Sequence, residues 1–180
     1  MFPTRIAMAA HVPLVFEAAV LPMPAPATLQ RLTLTGKTVR EVLDLLVAAD
    51  PWYAWSDVNG VIVIRTLAAV TNTTDPLNAP VSNIVWDHVS VPQALNGMVA
   101  LLSGAPAAPV PSETPFDEAV FSVAVPAGSV LDVLIESARA HGALLWSTPD
   151  TTQRADHSGL SVGVATFSGR GIGADVPPGQ

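Results

Sequence analysis

Residues Leu32 to Arg65, LTLTGKTVREVLDLLVAADPWYAWSDVNGVIVIR, decide the fold. Leu32 and Leu34 alternate with Thr33 and Thr35, which is the period of a half-buried strand. Gly36-Lys37 makes a turn, and Thr38 with Glu41 three residues on forms a capping box. In that motif, hydroxyl and carboxylate each satisfy a backbone N–H left over at a helix start. Val39, Val42, Leu43 and Leu46 then share one helical face. Asp50-Pro51 stops the helix, because proline cannot continue it and restricts the residue before it. Trp52 to Trp55 and Val61 to Arg65 read as strands around a turn at Asp57 to Gly60, with Asn59-Gly60 as the hairpin signal.

The same unit recurs downstream. Thr38 to Ser56 aligns without a gap on Ser129 to Ser147: cap on cap, Val39 on Val130, Val42 on Val133, Leu43 on Leu134 and Trp55 on Trp146. Ser90 to Leu102 repeats the cap and the apolar helix, with Gln93 in the third position after Ser90. Units of this kind bury their apolar faces by stacking on one another. The expected fold is therefore α+β: repeated βαβ-type units, with about three helices packed on antiparallel or mixed sheet. The alignment also directs Tyr53, Trp55, Leu144 and Trp146 inward, makes Ile84 and Trp86 core, and leaves Trp52 partly exposed.

Around these units, Val12 to Val20 reads as an opening strand. Arg5 and the apolar residues after it resemble the start of a signal peptide, but His11, Pro13 and Glu17 interrupt it. Pro22 to Ala27, PMPAPA, is an extended connector, since its prolines remove backbone donors. Thr71 to Pro80 is a link carrying the sequon Asn72-Thr73-Thr74. Ile84 to Val89 resembles a strand, Ala105 to Pro115 a surface loop, and Phe121 to Val125 a further strand. Ala143 to Ser147 pairs with Leu160 to Phe167. The expected division is a strand and connector over 1–28, a first unit over 29–70, two related units over 81–168, and a flexible tail over 169–180.

Composition narrows the function classes. With 49% hydrophobic and 13% charged residues the chain lies far from the disordered class. Its mean hydropathy is positive, yet no apolar run approaches the ~20 residues that span a bilayer. A net charge of −7 argues against nucleic acid, which requires a basic face to neutralise phosphates. The absence of cysteine excludes disulfides, thiolate metal sites and cysteine nucleophiles.

Leu32-Thr33-Leu34, the run Thr38 to Leu46, Tyr53-Ala54-Trp55 and Asn59 to Ile64 together resemble the secretin and TonB short N-terminal (STN) type of domain. The resemblance covers Leu32 to Arg65, and the two later copies follow it more loosely. It implies a small α+β module in the periplasm or envelope of a bacterium, in contact with another protein near an outer-membrane pore or receptor. No β-barrel or secretin-ring sequence follows, so the chain reads as a free-standing relative of these domains or as a fragment of a longer exported protein.

No chemical signature competes with that reading. His11, His88, His141 and His157 lack metal-binding spacing, and the serines lack a nucleophile elbow. Asp117-Glu118 falls in a loop and Glu41 with Asp44 on a solvated helix face, so neither is expected to act as a paired acid and base. Gly169 to Gly173 lacks the spacing of a dinucleotide loop. No catalytic residue, metal or cofactor is expected. Trp52 is the single candidate contact residue, because exposed aromatic side chains anchor interfaces. The expected function is non-catalytic protein interaction. Binding of a small ligand or glycan in a cleft between units is the alternative, and an enzyme comes third.

Overall fold

The computed structural model describes residues 6–7, 9–18, 36–104, 119–149 and 161–164, with backbone alone at 149 and 161–164. Several expected features lie outside these residues: the strand at Leu32 to Leu34, the PMPAPA connector, the Ala105 to Pro115 loop, Asp117-Glu118, His157 and the tail.

The described strands are β1 (Leu14–Ala18), β2 (Tyr53–Val58), β3 (Val61–Thr66), β4 (Pro80–Val89), β5 (Phe121–Ser129), β6 (Leu144–Pro149) and β7 (Ser161–Val164). The helices are α1 (Val39–Ala49), α2 (Leu67–Thr71), α3 (Val91–Ser103) and α4 (Val130–His141), with a 3₁₀ turn at Pro76–Asn78. Residues 6–7 and 9–10 are also helical. The fold is α+β, as the residue pattern predicts. It adds to the three expected helices the short α2, whose start is capped by the Thr66 hydroxyl accepting from Ala69 N–H at 3.1 Å.

Among the described residues a five-stranded mixed sheet in the order β2-β3-β1-β6-β7 forms the centre. β1 lies in the middle and runs parallel to both β3 and β6, while the β2–β3 and β6–β7 pairs are antiparallel. Central parallel strands are covered on both faces, so they read as continuous apolar runs. That accounts for Leu14-Val15-Phe16 and for Val61 to Ile64, all buried.

Successive side chains of a strand point to opposite faces, and the two faces carry separate cores. Val15, Val61, Val63, Leu144 and Trp146 meet residues of α3, α4, β4 and β5. Leu14, Phe16, Ile62, Ile64 and Leu145 meet Ala7 and Leu43, with Val39, Leu46, Tyr53 and Trp55 packed around them. A separate antiparallel ribbon, β4–β5, packs its inner face of Ile84, Trp86, Val123 and Val125 onto the first core.

The local signals act as expected. Glu41 accepts from the Thr38 N–H at 2.7 Å and hydroxyl at 2.9 Å, and Asp132 accepts from Ser129 in the same way at 2.7 and 2.8 Å. Gln93 accepts from the Ser90 N–H at 2.8 Å. Asn59 and Gly60 have φ of 54° and 83°, as a two-residue hairpin requires, and the Asp57 carboxylate accepts from Gly60 N–H at 2.9 Å.

For α1 and α4 the repeat holds at the level of a capped helix followed by an antiparallel strand pair, but these two copies occupy different places. Among the described residues β6 lies inside the sheet between β1 and β7, whereas β2 is a terminal strand. Trp146 is accordingly fully buried. Trp55, expected in the core, is only half-buried, as is Tyr53. The strand before α4, β5, pairs with β4 rather than joining the sheet that holds β6, so this copy is not a βαβ unit within one sheet. Ile84 and Trp86 face the core but are half-buried, in a layer where the described residues supply two strands.

Gly97 of α3 lies directly beneath Trp86. A Cβ there would come within 2.7 Å of the indole Cζ2. Alanine at a helix interior normally gains about 1 kcal/mol over glycine, but overpacking costs about 1–3 kcal/mol. Gly97→Ala is therefore expected to lower stability by about 1 kcal/mol in urea unfolding. A gain of that size would contradict the contact.

Candidate functional site

Three places on the described chain bring together several polar side chains or several exposed apolar ones. The first is buried. Glu17 on β1 and Arg65 on β3 occupy neighbouring positions just beyond the Phe16–Ile64 pair, on the sheet face that carries the first core. The Arg65 guanidinium donates from Nε to Glu17 Oε2 at 2.6 Å, from Nη1 to Asn78 Oδ1 at 2.7 Å and from Nη2 to Asp75 Oδ1 at 3.1 Å.

Asp75 Oδ1 also accepts from Leu77 N–H at 2.8 Å, which starts the 3₁₀ turn. Asn78 Nδ2 donates to the carbonyls of Ala69 at 2.9 Å and Asn72 at 2.7 Å. Arg65 thereby fastens the link between α2 and β4 to the sheet. All three charged side chains are buried. Burying them without partners would cost several kcal/mol each, and each of the three is hydrogen-bonded to another member of the cluster. Its geometry is that of an anchor.

The second place is a bulge in β4, where the β4–β5 register shifts between Trp86 and Val89. His88 adopts a left-handed φ of 49°. Asp87 Oδ1 lies 2.7 Å from His88 Nδ1 and accepts from the Ser122 hydroxyl at 2.9 Å, while Ser122 Oγ accepts from His88 N–H at 3.1 Å. Serine, histidine and aspartate meet here, but the serine donates to the carboxylate and not to the imidazole, so no base activates it. His88 acts as the hydrogen-bonding turn residue expected of its place before α3.

The hydrogen bonds from Ser122 and then His88 hold the Asp87 carboxyl below its ordinary value of 3.8. A depressed carboxyl stabilises the fold above the unfolded-state value, and that contribution is lost as pH falls through the folded one. Ser122→Ala is therefore expected to raise the Asp87 titration midpoint toward 3.8, measured by carboxyl carbon NMR. An unchanged midpoint would count against the Ser122 bond.

The third place is the surface beside β2. Trp52, the one expected contact residue, is 52% exposed. Its carbonyl accepts from Leu67 N–H at 2.8 Å, which sets the two residues directly across from one another. Leu67 and Val70, one turn apart on α2, are 49% and 50% exposed. The three form an apolar strip at the end of β2.

Bonded and unbonded pairs alternate along an antiparallel ladder. With Trp52–Leu67 bonded, Ala54, Ser56 and Val58 also point their backbone groups at β3, and those of Trp55 and Asp57 point outward. Among the described residues no strand lies beyond β2.

The remaining candidates have local structural roles. Trp55 Nε1 donates to Asp44 Oδ1 at 2.9 Å, and the Arg40 guanidinium lies 5.2 Å from its ring centre. Glu41 belongs to the α1 cap. His141 ends α4 with its ring edge-on to Phe121 at 5.3 Å. Among the described residues no three His, Asp or Glu side chains are grouped to hold a metal, and no helix is long and apolar enough to cross a membrane.

Sequence reasoning missed Leu67 and Val70, because LAAVT is too short to show helical periodicity. It also missed the Arg65 anchor, although a single glutamate in LVFEA and an arginine closing VIVIR were visible signals. In comparison with known proteins, no family model, no curated protein and no solved structure matches the chain.

Proposed function

We propose that this protein is a non-catalytic interaction module of the bacterial cell envelope, docking a protein partner along the outer edge of β2. The observation that carries the proposal is the strip of Trp52, Leu67 and Val70, each about half exposed, beside a strand that is terminal among the described residues and has outward backbone groups. Exposed aromatic and aliphatic side chains that cluster are typical of protein contacts. An edge strand supplies main-chain hydrogen bonds to an added strand. The envelope setting rests on the resemblance of Leu32 to Arg65 to STN domains.

A photo-crosslinking residue at position 67 tests this in cells. It is expected to give an adduct of defined mass that Trp52→Ala reduces about tenfold or more, the effect of losing one aromatic hot spot. The same label at Val99, an exposed position on α3, should give none. Equal adducts from both positions, or adducts indifferent to Trp52→Ala, would contradict the proposal.

A further inference from the structure

The two sides of the β2 edge differ in chemistry, and the difference specifies the docking segment. Tyr53, Trp55 and Asp57 share the side that faces α1. There the Asp44 carboxylate meets the Trp55 indole N–H and the exposed Asp57 closes the far end. Arg40 lies over the Trp55 ring on the same side. The opposite side carries Ala54 and Ser56, and it ends in the apolar strip of Trp52, Leu67 and Val70.

A strand added along β2 alternates its side chains between these sides with a period of two. We infer that the segment bound there alternates cationic with apolar side chains, with lysine or arginine beside Asp44 and Asp57 and apolar residues beside Trp52 and Ala54. This rests on the proposed docking at β2 and names its partner chemistry. The overall charge of −7 works in the same direction. It attracts a cationic segment at long range and repels a second copy of this chain.

The test uses short blocked peptides against the full chain by calorimetry: Lys-Val alternating, Thr-Val alternating, Glu-Val alternating, and the Lys-Val peptide N-methylated on alternate amides. The Lys-Val peptide is expected to bind most tightly, to weaken with added salt, and to lose roughly three- to tenfold in affinity with Asp44→Asn plus Asp57→Asn. Asparagine keeps an acceptor at both positions, so Trp55 and Gly60 retain their hydrogen-bond partners.

If Lys-Val and Thr-Val bind equally at all salt concentrations, the charge assignment is overturned while docking at the edge stands. If the N-methylated peptide binds as well as its parent, strand addition itself fails. Binding of none of the peptides overturns both.

Discussion

Arg65→Met is expected to destabilise the protein by about 3–5 kcal/mol, the usual consequence of removing one member of a buried ionic group. The substitution keeps most of the side-chain volume, so the effect is electrostatic in origin. It takes the guanidinium from between Glu17 and Asp75, which are both buried. It also removes the donor to Asn78, the residue that ties the link to Ala69 and Asn72. Domains of this size have only about 5–15 kcal/mol in total, so the variant should unfold at a much lower urea concentration.

Adding Glu17→Leu should recover part of the loss, because an apolar pair no longer requires the cation. A single variant within 1 kcal/mol of the parent would mean that water reaches the cluster.

The second large effect is expected at Trp146, where two terms compete. The side chain is fully buried in the core between the sheet and α4. Trp146→Ala should cost about 3–5 kcal/mol through lost burial and the cavity left behind. The indole Nε1, however, finds no acceptor among the described residues. A buried donor left unsatisfied costs about 1–3 kcal/mol. Trp146→Phe removes that donor while keeping an aromatic ring, so it is expected to lose less than half of what alanine loses. Equal losses in urea unfolding would show that the indole N–H is satisfied after all.

How much of this was legible in the sequence depends on how far apart the interacting residues lie. Caps, helix stops and the Asn59-Gly60 turn are decided within a few residues, and the sequence showed them. The repeat correctly placed Trp146 and misplaced Trp55, although both occupy the same position in the alignment. Burial belongs to a strand's place in the sheet, and local pattern does not encode that place. Among the described residues β6 has neighbours on both sides where β2 has one.

In the Arg65 anchor the two charges stood out within apolar runs, but their pairing was illegible for a related reason. Its partner Glu17 lies 48 residues away, and the pair exists only because β1 enters the sheet beside β3. Trp52 was recognised as a candidate because the alignment leaves it partly exposed. Leu67 and Val70 joined it only once α2 was seen to begin directly across from it.

The central claim, that β2 is a docking edge, is tested most directly by backbone amide hydrogen exchange. The free protein is compared with the complex captured through position 67. The outward N–H groups of Trp55 and Asp57 should exchange readily in the free protein and become protected in the complex, with little change at Ala54 and Ser56, which already face β3. Protection confined to the β4–β5 ribbon or α3, with Trp55 and Asp57 unchanged, would contradict it.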